Sequence, residues 1–119
     1  MLSFEEINEI AGFDGPVSRV VAPLLRFFAQ ANRDIFGFQG APVHDALAVA
    51  SLVEPRGNTT RRLHVGVETE GTLTRGRTVA DVYGVSGKEA NADVALEVDR
   101  EMFRDLMYDT MRTLDRECS

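Results

Sequence analysis

Gly40-Ala41-Pro42-Val43-His44-Asp45-Ala46-Leu47-Ala48-Val49-Ala50-Ser51-Leu52-Val53 is the stretch whose reading decides the fold. Gly40 and Pro42 signal a turn, and two adjacent titratable residues follow. No charge then interrupts the apolar run until Glu54, and Pro55 stops it. Rich in Ala and Leu, the run predicts a buried helix with His44 and Asp45 at its N-terminus. Free N–H groups and the positive end of the helix dipole gather there, so the setting favours an anionic Asp45 and opposes a positive charge on the neighbouring imidazole. A polar dyad at the mouth of a helix whose body is core would face a cleft while held rigidly from behind. Asp is also an ordinary N-cap, and a His beside it an ordinary surface residue, so the pair alone leaves both readings open.

Around that stretch, 119 residues make one domain, residues 1–119, long enough to bury a core. The net charge of −6 argues against a nucleic-acid partner, since no basic stripe exists to neutralise phosphates and Arg61-Arg62 is too short to count as one. Cys118 is the only cysteine, which excludes a disulfide framework and a cysteine-based zinc site and fits a reducing compartment. The N-terminal Leu2-Ser3-Phe4-Glu5-Glu6 is acidic where a signal peptide would be basic. No apolar stretch approaches the roughly 18 residues of a membrane span. The expectation is a cytoplasmic protein without membrane contact.

Upstream, Ser3 and Glu6 form an S-x-x-E capping box, with Leu2 and Ile7 placed for a hydrophobic staple and Gly12 for the helix end. Asp14-Gly15-Pro16 then introduces a longer helix with apolar positions Val17, Val20, Val21, Leu24, Leu25, Phe28, Ala31 and Ile35. Pro23 inside it predicts a kink or a late start. Phe27, Phe28, Phe36 and Phe38 could line a pocket for a flat ring; helical spacing assigns Phe28 to the core instead.

Downstream, Arg56 to Thr60 reads as a loop. Leu63, Val65, Val67 and Thr69 alternate with polar partners, which predicts a half-buried strand. A second strand at Thr78–Tyr83 closes a hairpin around Gly71–Gly76, and Val94, Leu96 and Val98 mark a third. Asp99 caps a last helix with the face Met102, Phe103, Leu106, Met107, Thr110, Met111 and Leu114, which reads as core. His64, Glu68 and Glu70 share one strand face but lack a fourth ligand, and plain surface is the reading preferred.

Two segments together resemble a known family. Pro42-Val43-His44-Asp45-Ala46-Leu47-Ala48-Val49-Ala50 and Gly71-Thr72-Leu73-Thr74-Arg75-Gly76-Arg77-Thr78-Val79-Ala80-Asp81 look like the C-terminal third of the inosine-uridine-preferring nucleoside hydrolases. Val67 to Gly71, Asn91 to Asp99 and Phe103 resemble it in order and spacing, and the similarity runs from about Val17 to the last helix. The fold class implied is α/β, a C-terminal fragment of the family's open-sheet fold. It would contain two N-terminal helices, a buried His-Asp helix, a hairpin plus a third strand, and a C-terminal amphipathic helix.

The resemblance implies calcium-assisted hydrolysis of the N-glycosidic bond of ribonucleosides to ribose and free base. It makes His44 the leaving-group acid that protonates the departing base, and Asp45 a calcium ligand and contact to the ribose hydroxyls. An oxocarbenium-like ribosyl transition state needs negative charge around the sugar and a proton donor at the base, so these residue types suit that chemistry. The chain departs from the family where most calcium ligands and the general base reside. No D-T-D-P-G-x-D-D strand-loop occurs, and no two Asp residues are adjacent anywhere. The family's substrate-closing Tyr or Arg has no clear counterpart, Phe28, Asn32 and Phe36 falling near those places by count only. Calcium takes about 6–8 oxygen ligands, so the chain alone should neither hold the ion nor turn over nucleosides. A homo-oligomer or a missing N-terminal half is the expected partner, and a non-catalytic self-associating or partner-binding module is the alternative.

Overall fold

The computed structural model describes residues 1–119, and its internal contacts separate two units, Met1–Gly57 with Asp99–Ser119, and Asn58–Val98. In the first, a two-residue strand β1 (Leu2–Ser3) runs directly into helix α1 (Phe4–Ala11). The entry is fixed by the capping box read from the sequence: the Glu6 N–H donates to Ser3 Oγ (3.2 Å) and the Ser3 N–H donates to the Glu6 carboxylate (2.8 Å). Leu2 and Ile7 are both fully buried, as a staple requires. Gly12 ends the helix in right-handed geometry, so its lack of a side chain is not needed for the turn. Replacing Ser3 by Ala should cost about 1 kcal/mol of stability, read as a lower urea midpoint with an unchanged slope.

Helix α2 (Ser18–Phe36) begins at Ser18, ahead of Pro23, which overturns the expected late start. Its first N–H groups find an acceptor far along the chain. Asp115, in the last helix α4 (Arg100–Glu117), accepts from the Val17 N–H (2.8 Å), the Ser18 N–H (2.9 Å) and the Ser18 hydroxyl. A capped N-terminus five residues upstream of the proline lets the helix start early. The face α2 turns inward is only in part the expected one. Val17, Val21 and Leu25 pack against the core as the spacing predicts. The most buried positions, however, are Ser18, Ala22, Ala29 and Asn32, whereas Val20, Leu24 and Ile35 point outward. Small residues on the inner face allow close approach to α1 and to strand β2 (Gly40–Ala41).

The core of this unit gathers Leu2, Ile7, Ile10, Ala22, Ala29 and Ala41 with Phe103, Tyr108 and Met111 from α4. Asp99 caps α4 as expected, accepting from the Met102 N–H at 3.0 Å. Of the anticipated α4 face, Phe103 and Met111 are buried and Thr110 is exposed. Tyr108 and Asp115 take places in the core that the apolar count did not assign. Glu6 is tied to α4 by an ion pair with Arg100 (2.8 Å). Helix α3 (His44–Val53) does begin at the His-Asp pair, but it is not buried. Ala46, Leu47 and Ala50 pack on the core, while Val49, Leu52 and Val53 are 62%, 83% and 67% exposed. The apolar run reads as all core in the sequence, yet only one of its sides has a neighbour.

In the second unit the strands differ from the expected hairpin plus one. Strand β3 (Asn58–Leu63) occupies residues that read as a loop, β4 (Val65–Val67) is separated from it at His64, and β5 (Thr78–Ala80) stops three residues short of Tyr83. The hairpin partners are β4 and β5, in register Val65↔Ala80 and Val67↔Thr78. The third strand, β6 (Ala92–Val98), pairs antiparallel with β3 across a bulge at Thr59/Thr60. The physical reason is that β3 is nearly all exposed and polar; backbone pairing holds it, and that leaves no alternation to read. With β1–β2, the strands form three two-stranded ribbons.

Candidate functional site

The mouth of α3 is built by a backbone crossing. Strand β2 lies antiparallel to β1, pairing Leu2 with Ala41 and Ser3 with Gly40. Gly40 sits so close that a Cβ there would lie 2.2 Å from the Leu2 carbonyl oxygen. In the sequence it reads as half of a turn signal; in the fold it lets two backbones meet. Ala41 and Pro42 are buried, and Val43 is the N-cap residue, its carbonyl accepting from the Leu47 N–H at 3.1 Å. Val43 has no side-chain oxygen to bond the first-turn N–H groups, so the helix mouth keeps free donors.

His44 and Asp45 occupy the first two helical positions, and both side chains are exposed. Neither makes a hydrogen bond or an ion pair within the chain. The rigid backing expected of the dyad is present in Val43, Ala46, Leu47 and Ala50, which pack on the core behind it. The arrangement presents an imidazole and a carboxylate, side by side, to whatever approaches the mouth of the helix.

The other candidates are engaged elsewhere. Asn32 is buried, and its amide donates to the Phe28 carbonyl (2.9 Å). Phe36 and Phe38 stack on each other, centroids 5.6 Å apart and tilted by 32°, and Phe27, Phe28, Phe36 and Phe38 are all solvent-exposed. The inter-strand His64 Nδ1 lies 2.9 Å from the Glu89 carbonyl, which can only accept, so that nitrogen carries the proton. Glu68 accepts from the N–H groups of Glu70 (2.8 Å) and Gly71 (2.9 Å), and these bonds hold its carboxyl below the ordinary range. That turns it into the following bend. No three His, Cys, Asp or Glu side chains come together at metal-ligating spacing. Asp45 is a single carboxylate where calcium takes about 6–8 oxygens, so the donor set of this chain does not fit the ion.

The profile described as inosine-uridine preferring nucleoside hydrolase matches residues 1–105. This chain belongs to that family. The match reaches farther upstream than the resemblance at Val17 suggested and takes in β1 and α1. Among curated nucleoside hydrolases, the pyrimidine-specific ribonucleoside hydrolase RihA of Shewanella woodyi is 42% identical over 113 residues, 94% of this chain and 36% of its own. The protein of the same name from Escherichia coli O17:K52:H18 is 42% identical over 109 residues, 91% of this chain and 35% of its own. Among solved nucleoside hydrolases, the purine-preferring ribonucleoside hydrolase from Gardnerella vaginalis superposes with a TM-score of 0.79 at 28% identity, over 97% of this chain and 36% of that one. A plant nucleoside hydrolase shares the fold with a TM-score of 0.78 at 19% identity, over 92% of this chain and 36% of that one. The chain thus spans about 36% of the length of such nucleoside hydrolases and corresponds to their C-terminal portion.

The β1–β2 crossing that sets the mouth is not visible in the sequence. Its only signal is the small pair Gly40-Ala41 before Pro42, which is equally a turn signature.

Proposed function

We propose that this chain carries the leaving-group side of a ribonucleoside-hydrolysing centre. The observation that carries the reading is the exposed, internally unpartnered His44-Asp45 pair at the open mouth of α3, in a chain of this family. As the bond between ribose and base stretches, the base gains electron density. The His44 ring gives it a proton, the adjacent Asp45 carboxylate offsetting the helix-end field that opposes positive charge there, so the base leaves neutral and positive charge remains on the ribosyl carbon. Asp45, the next residue along the helix, would offer a carboxylate to the ribose hydroxyls, and on its own it would give a calcium one of the roughly 6–8 oxygens that the ion takes. The acidic strand-loop to which the family resemblance assigns the general base does not occur in this sequence. The chain therefore contributes binding and acid functions to a ribonucleoside site without completing it.

Incubation with inosine or uridine and calcium should release no ribose above the uncatalysed rate, and turnover at an enzyme-like rate would refute the incomplete-site reading. Because His44 is exposed and makes no internal bond, His44→Ala should leave the melting curve within about 0.5 kcal/mol of wild type. A large loss of stability would assign the residue to structure instead. The second reading, a non-catalytic module that associates with itself or a partner, is favoured by the exposed Leu24, Phe27, Leu52 and Val53.

A further inference from the structure

The chain carries a net charge of −6, yet the unit Asn58–Val98 gathers positive charge around one cleft. The cleft, about 320 Å³, is lined by Arg61, Arg62 and His64 at the end of β3 and by Asp81 and Lys88 of the β5–β6 connection. Lys88 is the only lysine in the sequence, and its ammonium has no partner in the chain. Arg61 spends one guanidinium N–H on the Val82 carbonyl at 2.8 Å, which braces it against the wall that Val82 forms and leaves its other donors uncommitted. Arg62 lies 3.4 Å from Asp93, a loose pair between side chains that are both mostly exposed and therefore easily reopened. His64 has Nδ1 engaged by the Glu89 carbonyl and Nε2 open.

Asp81 is the one acid on the lining, and its oxygens are already in use. One accepts from the Val85 N–H (3.0 Å), the other from the Ser86 N–H (2.8 Å) and the Ser86 hydroxyl (2.6 Å). Those bonds fix the turn that follows β5 and leave Asp81 as a staple of the rim. The lining therefore presents three cations against one engaged carboxylate, a surplus of two positive charges. Two adjacent arginines are too few for a polymer backbone but enough for a single oxyanion, which guanidinium N–H groups grip in charge-assisted bonds and an ammonium neutralises. We propose that this cleft binds a phosphate group, free or as the monoester of a small molecule. A phosphate carries close to two negative charges and several strong acceptor oxygens, which matches the surplus, whereas a carboxylate leaves one cation unbalanced. The volume lies at the lower end of small-ligand clefts, about 300–1,000 Å³, which suits a compact ligand. Every residue involved belongs to Asn58–Val98, so the inference does not depend on the roles of His44 and Asp45.

The test titrates the full chain with inorganic phosphate and, separately, with glycerol 3-phosphate, followed by amide NMR at an ionic strength held constant with chloride. Saturable shifts should be confined to the amides of residues 61–64 and 81–88, and the probe that saturates at the lower concentration identifies the source of the phosphate. Lys88→Gln removes one charge and breaks no side-chain bond, so it should weaken binding by about 10-fold or more with an unchanged melting curve. Arg61→Gln should weaken it at least as much; because that change also frees the Val82 carbonyl, Lys88→Gln is the deciding variant. Arg75→Gln, an exposed cation between β4 and β5 and outside the lining, should bind as wild type. Shifts that never saturate, or that added chloride reproduces, overturn the proposal. So does an equal loss in Lys88→Gln and Arg75→Gln, which would reduce the effect to net charge. The readout needs no catalysis, so this proposal and the catalytic reading fail separately.

Discussion

Gly40→Ala should destabilise the chain by about 3 kcal/mol, at the upper end for an added methyl group, because the collision is with backbone. The new Cβ would stand 2.2 Å from the Leu2 carbonyl oxygen, 2.9 Å from its carbonyl carbon and 3.1 Å from Ser3 Cα. No side-chain rotation relieves any of these contacts. The strands must part, and they carry Leu2 and Ala41, both fully buried, so separation also opens the core. Urea unfolding measures the loss. Amide exchange should localise it, with protection falling first at β1 and β2. Because β2 leads through Pro42 and Val43 into the first turn of α3, the His44 and Asp45 resonances should shift as well. A Gly40→Ala variant as stable as wild type would mean that the two backbones do not approach so closely.

Asp115→Ala should lower the melting midpoint by roughly 10 °C or more, since it strands three donors at the buried start of α2. The Val17 N–H, the Ser18 N–H and the Ser18 hydroxyl have no replacement acceptor in the dry junction between α2 and α4. Gly15 tightens that junction, since a Cβ there would fall 2.1 Å from Asp115 Cγ. Asp115→Asn keeps one acceptor oxygen and should fall between the two. The pH dependence has a definite sign. Burial raises the Asp115 pKa, but the bonds from the Ser18 hydroxyl and from the Ser18 and Val17 N–H groups outweigh it and hold the carboxyl below its ordinary value. A group depressed in the folded state contributes its full stability above the unfolded-state pKa of about 4 and loses it as pH falls through the folded value. The gap in midpoint between wild type and Asp115→Ala should therefore be constant from neutral pH down to about 4 and narrow below it. A gap independent of pH throughout would remove the carboxylate from the explanation.

What the sequence discloses follows from how local each signal is. Ser3 with Glu6, and Asp99 with Met102, are caps closed within three residues, and both form. The start of α3 at His44 is equally local and equally legible. The inner face of α2 is legible only in part, because some of the large residues that dominate a periodicity count, such as Leu24 and Ile35, point away from this chain's core. Apolar spacing reports that a face is buried somewhere, without naming the neighbour. The same ambiguity makes α3 look buried on all sides. Asp115 escapes for the opposite reason: a carboxylate late in a helix reads as surface until its partners, 97 and 98 positions away, are known. Strand β3 has no apolar alternation at all and is visible only through its pairing with β6. For the site, the residue types and their place at a helix mouth are readable, while the crossing at Gly40 requires coordinates.

The chain leaves its first unit at Gly57 and re-enters it at Asp99, and these two residues are joined directly, the Asp99 N–H donating to the Gly57 carbonyl at 2.8 Å. Departure and return thus share one peptide-to-peptide link, the geometry of an inserted segment whose ends already touch. Closure entropy at such a neck grows only slowly with the length of what is spliced into it. The helical unit is accordingly closed on itself at Gly57 and Asp99, so that its own ends stay together whatever strain β3 to β6 experience.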